Sequence, residues 1–323
     1  MPVRKLRFVF LFLIAFIYSE TTRAQCCSTG SPVGASVYVG VLGKNSLRVI
    51  TYYRHNFSDS YFEGTKKSTE NNQLKSSDFN FIGFALAYGI TKRLTIEADM
   101  GYFINKTQVF NYIDFQEKGF GLSNGGVTVK YGAFVLPSKQ LEITLGAGFR
   151  YPFTTKPQQK EGVQLSRDVQ PSTNAFCLSG LFFVSKGFPS VTMKLFTINR
   201  FDHNFEDPLH YKYGDVLLNS VFVSKQIVKY FLGIVQVRSE CRWKDEDTGD
   251  PRVNTGNYIL IVSPQLSYSI AGKWNVSVLF DFPVYKDYIG KQLTPKYSFA
   301  ISLTRDFNLS STSKAAKQIK QSR

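Results

Sequence analysis

Stretches of about ten residues that alternate apolar and polar side chains recur along this chain, and the connectors between them alternate short and long. The last stretch is the cleanest. Tyr297, Phe299, Ile301, Leu303 and Phe307 fall on one face, with Arg305 among them, and Ser298, Ala300, Ser302, Thr304 and Asp306 on the other. Successive strand side chains point to opposite faces, so the pattern predicts strands with one apolar and one polar face. The same reading gives outward sets Leu94, Ile96, Ala98, Met100, Tyr102; Val127, Val129, Tyr131, Ala133, Val135; and Leu141, Ile143, Leu145, Ala147, Phe149, Tyr151. Further on come Tyr258, Leu260, Val262, Leu266, Tyr268, Ile270 and then Trp274, Val276, Val278, Phe280, Phe282. Fainter alternation predicts strands near 45–55, 78–90, 175–186, 190–200, 214–225 and 229–243, the fifth of these apolar on both faces.

Short connectors fall at Thr91-Lys92, Pro137-Ser138-Lys139, Gly187-Phe188-Pro189, around Gln226, and at Ala271-Gly272-Lys273. Long ones run through 56–77, 105–121, 153–174, 201–213, 244–256 and 285–294. A soluble sandwich has no reason to alternate its loop lengths. An outer-membrane barrel does, with tight periplasmic turns and long extracellular loops. The expected fold is therefore all-β: a transmembrane antiparallel β-barrel of about 12 strands, with both chain ends in the periplasm.

The front of the chain fits export. Arg4, Lys5 and Arg7 precede an apolar run from Phe8 to Tyr18, and Thr22-Arg23-Ala24 supplies small residues where a signal peptidase reads. About 11 apolar residues cannot cross ~30 Å of hydrocarbon, so residues 1–24 read as a signal peptide. Gln25 directly before Cys26 argues against lipidation. Residues 25–44 form an N-terminal segment, read either as a plug in the bore or as a periplasmic leader with a partial strand through Ala35–Val41. The barrel is assigned to 45–307, and 308–323 is a polar basic tail carrying Lys314, Lys317, Lys320 and Arg323. Cleavage removes four cations and one anion, which lowers the formal charge from +15 to about +12. A basic balance suggests anionic partners. Export excludes nucleic acid and leaves lipid, lipopolysaccharide phosphates and acidic solutes in a bacterial outer membrane.

Aromatic residues gather near strand ends, among them Tyr52, Tyr53, Tyr88, Tyr102, Tyr151, Trp243, Tyr258, Tyr268, Trp274 and Tyr297, as the girdles of a barrel would. Gly119-Phe120-Gly121-Leu122-Ser123-Asn124-Gly125-Gly126, the run Val127 to Tyr131 with its Lys130-Tyr131 pair, and Gly146-Ala147-Gly148-Phe149-Arg150-Tyr151-Pro152 form a further pattern. It resembles the transporter-like barrels of the phenol-degradation MetA-pathway family, which are distantly similar to FadL-type fatty-acid channels. The resemblance is specific over about 35 residues. It departs from the family at Asn124-Gly125, where an acidic residue would follow the glycine. It implies uptake of a small, hydrophobic molecule, and an N-terminal plug.

Alternation turns Arg48, Arg54, Glu97, Asp99, Lys130, Glu142, Arg150, Lys194, Arg200, Arg238, Glu240, Arg242, Asp281 and Asp306 inward. Of these, Arg150, Arg238, Arg242, Lys130, Glu97, Asp99 and Asp281 are the candidate solute contacts, set against a structural role in which interior charges pair with one another. No catalytic or metal-binding set is expected, and no cofactor. His55, His203 and His210 sit at strand ends or in loops, and His55 has only Ser58 nearby. Cys26-Cys27, Cys177 and Cys241 lack metal-ligand spacing. The function expected is passive or facilitated passage of a small hydrophobic or anionic solute. The alternatives are a closed structural or adhesion barrel whose loops bind a partner, and, more remotely, a lipid hydrolase.

Overall fold

The computed structural model describes residues 40–69, 73–112, 114–270 and 274–309. The signal peptide expected at 1–24, Cys26 and Cys27, most of the expected N-terminal segment, the connector expected at Ala271-Gly272-Lys273 and the tail expected beyond 309 lie outside the described residues. The main sheet is antiparallel and closed on itself, and two small sheets lie in the connectors, one of Tyr211–Lys212, Glu246–Asp247 and Asp250–Pro251 and one of Gln159–Lys160 and Val163–Gln164. The elements of the main sheet are β1 (Ser46–Gly64), β2 (Leu74–Gly89), β3 (Leu94–Phe110), β4 (Gln116–Leu122), β5 (Gly125–Leu136), β6 (Leu141–Tyr151), β7 (Cys177–Phe188), β8 (Met193–Asn204), β9 (Val216–Val228), β10 (Phe231–Arg242), β11 (Asn257–Ile270) and β12 (Trp274–Asn308). Each pairs with its neighbour in sequence, except that β4 and β5 share β3, and β12 returns to pair with β1. Closure leaves no edge, so the ring's backbone donors and acceptors are met within the wall.

Eleven elements form the ring, and β4 and the short strand Lys66–Lys67 lie off it. A fully antiparallel ring needs an even number of chain directions. β12, 35 residues long, supplies the extra one. Residues 274–288 pair with β11 and 291–308 with β1. The two arms also touch across each other, Leu279 packing on Ala300, Phe280 on Phe299 and Asp281 accepting from Ser298. The chain reverses at Ile289-Gly290, where Gly290 has φ +69°, a value that favours glycine.

The turn expected at Pro137–Lys139 is a single turn of 3-10 helix closed by Gln140 in the left-handed region, and the one expected at Gly187-Phe188-Pro189 lies two residues on, a 3-10 turn at Pro189–Val191 closed by Thr192 in the same region. The turn placed around Gln226 lies instead at Lys229-Tyr230, between β9 and β10. Three of the six expected long loops are largely paired strand. Much of 56–77 belongs to β1 and β2, much of 105–121 to β3 and β4, and 285–294 to β12. These hairpins make the wall uneven: β1, β2 and β3 are 19, 16 and 17 residues long, whereas β5 to β8 are 11 or 12.

Burial is inverted relative to a soluble protein. Among the described residues, buried polar and charged side chains outnumber buried apolar ones. Outward Leu145, Val129, Met100, Val235 and Ile301 are 43–50 % exposed, while Thr144, Lys130 and Ser263 on the other face are at most 3 % exposed. One predicted outward set is corrected. A bulge between Gly132 and Phe134 shifts the phase of β5, so Phe134 and Leu136 face out where Ala133 and Val135 were expected. Tyr52, expected in an aromatic girdle, faces in and packs against Phe81. Its ring lies over Gly83, where an added Cβ would stand 2.1 Å from it.

The girdles themselves form on the outer surface. Phe57–Tyr297, Tyr258–Tyr285, Phe201–Trp243 and Phe149–Phe176 pair towards the long-loop end, and Tyr230–Tyr268 and Phe231–Tyr268 towards the short-turn end. Arg305, the charge on the outward face of the last stretch, lies over the rings of Trp274 and Phe307. A long basic side chain can sheathe its stem on aromatic surface in this way while its head reaches water.

Candidate functional site

The inward face divides into layers. Nearest the short turns, Lys130 pairs with Glu97 at 2.7 Å. Glu142 accepts from Thr144 Oγ1 at 2.9 Å and from the backbone N–H of Val41 at 2.6 Å. Leu42 N–H donates to Thr95 Oγ1 at 2.8 Å. Residues 40–42, the described end of the N-terminal segment, therefore rest against interior side chains at this end. Gly40 passes so close to the Glu142 carboxylate that an added Cβ would meet it at 2.0 Å.

Above that layer, β7 to β10 turn apolar side chains inward. Phe183, Phe196, Phe222 and Ile234 form a buried cluster with Phe196 and Phe222 stacked 4.5 Å apart. This explains why the stretch near 214–225 read as apolar on both faces: Phe222 faces the bore while Val221 and Val223 face out.

At mid-height Asp281 is 2 % exposed and takes bonds from four side chains. Arg54 Nη2 reaches its Oδ2, Arg238 Nη2 lies 3.3 Å from the same oxygen, Ser298 donates at 2.8 Å and Ser263 donates to Oδ1 at 2.5 Å. A buried carboxylate is stable only when paired and hydrogen-bonded, which this one is. Towards the long loops, Arg200 pairs with Asp202 at 2.6 Å and Arg150 with Asp99 at 3.1 Å.

The connector 153–176 folds inward over this layer. Lys106 Nζ donates to Gln170 O at 2.8 Å. Asn124, in the two-residue break between β4 and β5, accepts from Ser172 Oγ at 2.7 Å and donates to Thr173 Oγ1 at 2.8 Å and Ala175 O at 3.0 Å. The residue at which the chain departs from the family resemblance thus anchors this inward loop.

Two cavities lie among the described interior side chains. The first, about 80 Å3, is lined by Arg54, Phe79, Leu218, Arg238, Arg242, Ile259, Ile261 and Asp281 among others. The second, about 100 Å3, is lined by Phe103, Lys106, Asn124, Arg150, Gln170, Cys177 and Tyr213 among others. Asp202, Val216 and Arg242 border both. Each has room for several waters.

All seven predicted contact residues lie on the inner face, but they divide. Arg238, Arg242 and Asp281 border the first cavity and Arg150 and Arg242 the second, whereas Lys130, Glu97 and Asp99 border neither. Arg54 and Asp202, not singled out from sequence, border cavities as well. Lys106 was missed because 105–121 reads as loop, and only the register shift between Phe103 and Lys106 carries it inward. His55 packs against Tyr297 and Phe299 on the outer face, while Ser58 is fully buried on the inner one, so the two are not brought together. His203 lies against Asp215, and His210 against Glu206. Cys177 and Cys241 are free thiols on separate strands, β7 and β10.

No family model and no curated protein sequence matches the chain. Solved structures do. An outer-membrane channel from Pseudomonas putida F1 superposes with a TM-score of 0.67 at 9% identity, covering 83% of this chain and 97% of that one. The NanC porin gives 0.45 at 12% identity, covering 80% and 98%. The translocator domain of the autotransporter NalP from Neisseria meningitidis gives 0.46 at 10%, covering 82% and 90%. At such identities the likeness is one of fold, and the first alone is close enough to carry it: this is a closed antiparallel barrel of the outer-membrane type.

Proposed function

We propose that the protein is a bacterial outer-membrane channel through which a small solute passes by passive or facilitated diffusion. The carrying observation is the inverted burial, an apolar exterior banded by aromatic rings around an interior of charges and cavities. Lipid can cover such an exterior at no cost, and water cannot. Counted by direction, the ring crosses the membrane twelve times, with the short turns in the periplasm and the tall hairpins outside. Membrane lipid and lipopolysaccharide are its surroundings. The resemblance to the phenol-degradation family and the Pseudomonas neighbour, itself an outer-membrane channel, both support this reading.

In it, Arg150, Arg238, Arg242 and Asp281 meet the solute directly. Lys130, Glu97 and Asp99 hold the wall through their own pairs. Residues 40–42 narrow the periplasmic mouth, with Val41 and Leu42 bonded to Glu142 and Thr95, which supports an obstructing role for the segment they end.

One observation favours the second reading, a closed barrel that works through its outer loops: the Phe183, Phe196, Phe222 and Ile234 cluster fills part of the bore. Liposome swelling separates the two. Vesicles carrying the refolded barrel should swell in isosmotic arabinose severalfold faster than protein-free ones. Background swelling from a barrel that shows the gel-mobility shift of a folded state would favour the closed form.

A further inference from the structure

The first cavity mixes unpaired guanidinium donors with buried apolar side chains, and that mixture describes an occupant. Arg54 and Arg238 are 7 % and 6 % exposed and share the single carboxylate of Asp281. Arg54 Nη1 and Arg238 Nε and Nη1 have no hydrogen-bond partner. Arg242 borders the same space. Against these three cations stand Asp281 and Glu240, because Asp202 is already neutralised by Arg200 and bonded by Ser179. Interleaved with these charges on neighbouring strands are Phe79, Leu218, Ile259 and Ile261, all buried, with Ile261 directly across from Arg238 and Ile259 across from Glu240.

Partnerless guanidinium nitrogens that are themselves buried are donors waiting for an acceptor. A guanidinium's planar fork matches two coplanar oxygens better than a single hydroxyl. The apolar residues favour an occupant that carries an apolar body. Asp202, Val216 and Arg242 border both cavities, and an occupant reaching from one towards the other has room on the scale of the ~150 Å3 space that holds one benzene ring.

We infer that this chamber takes a small monocarboxylate with an aromatic or short aliphatic body. Its carboxylate lies on Arg54 and Arg238 within reach of Arg242, and its body lies against Phe79, Ile259 and Ile261. The inference rests on the channel reading above and names its substrate class. It also predicts discrimination. A neutral analogue of the same shape leaves the donors unpaired and is rejected, whereas a carboxylate without a body leaves the apolar side chains wet.

The test is isothermal titration of the purified full barrel in detergent with benzoate and with benzyl alcohol, blanked against empty micelles. Benzoate should bind saturably at one site, at least about tenfold tighter than benzyl alcohol. Arg238→Gln should remove that preference, the variant's folded state being checked by its gel-mobility shift. Equal binding of the two probes to the unaltered protein would overturn the inference, whether or not the variant folds. So would an unchanged benzoate affinity in folded Arg238→Gln. Failure of the channel reading shows separately, as absent arabinose flux from a folded barrel, since the titration needs no transport.

Discussion

Asp281 shows what a single residue carries here. Two guanidiniums depend on it, and in Asp281→Asn both stay buried without a counter-charge. Breaking a buried ion pair from one side costs about 3–5 kcal/mol, so Asp281→Asn should lose about that much stability, read as an earlier midpoint in denaturant unfolding from lipid vesicles. Alternation alone placed Asp281, Arg238 and Arg54 on the inner face, because one inward position fixes every second neighbour. Which charge meets which was not legible. Arg54 and Asp281 are 227 positions apart, and their meeting depends on the closure of β12 onto β1. Lys106 and Asn124 escaped for another reason: their roles come from an inward loop whose sequence carries no periodicity.

At the scale of the strand, pattern succeeds where one face is wet and the other meets lipid, and fails where both are wet. The upper parts of β1, β2, β3 and β12 carry Ser58, Asp59, Ser60, Lys75 and Ser76 among others and read as loop, yet they are paired throughout much of their length. Ladder bonds persist above the membrane, and the apolar signal does not. A bulge defeats pattern differently, since one unpaired residue, Ala133, reverses the phase of everything after it. Glycine can also be read as packing. Gly83 faces inward beneath Tyr52, and Gly83→Ala should cost about 1–3 kcal/mol by overpacking. The same unfolding assay in Gly83→Ala with Tyr52→Ala should show coupling: the double variant loses less than the two single losses together. Strict additivity would mean the ring simply swings aside.

For the molecule as a whole, the outward band sets where charge is tolerated. Leu145 lies mid-strand on β6 and is 50 % exposed. In lipid, Leu145→Arg should cost about 2–4 kcal/mol, and Phe153→Arg, beyond the strand end on the long-loop side, much less; a bilayer-refolding series would compare them. Equal, negligible costs at both positions would mean that water, not hydrocarbon, bathes this surface. The closed barrel and its apolar exterior were legible because lipid imposes so regular a constraint. The filled patch at Phe183 and Phe222 was not, since an apolar residue facing inward looks, in sequence, like a strand with no outside. The uneven wall has a consequence at the cell surface. With the long-loop end outward, the crest built from β1, β2, β3 and the tip of β12 stands proud of the lower parapet from β5 to β8. An antibody or phage arriving from outside touches that crest first, so an epitope grafted between Gly64 and Leu74 should be detected on intact cells.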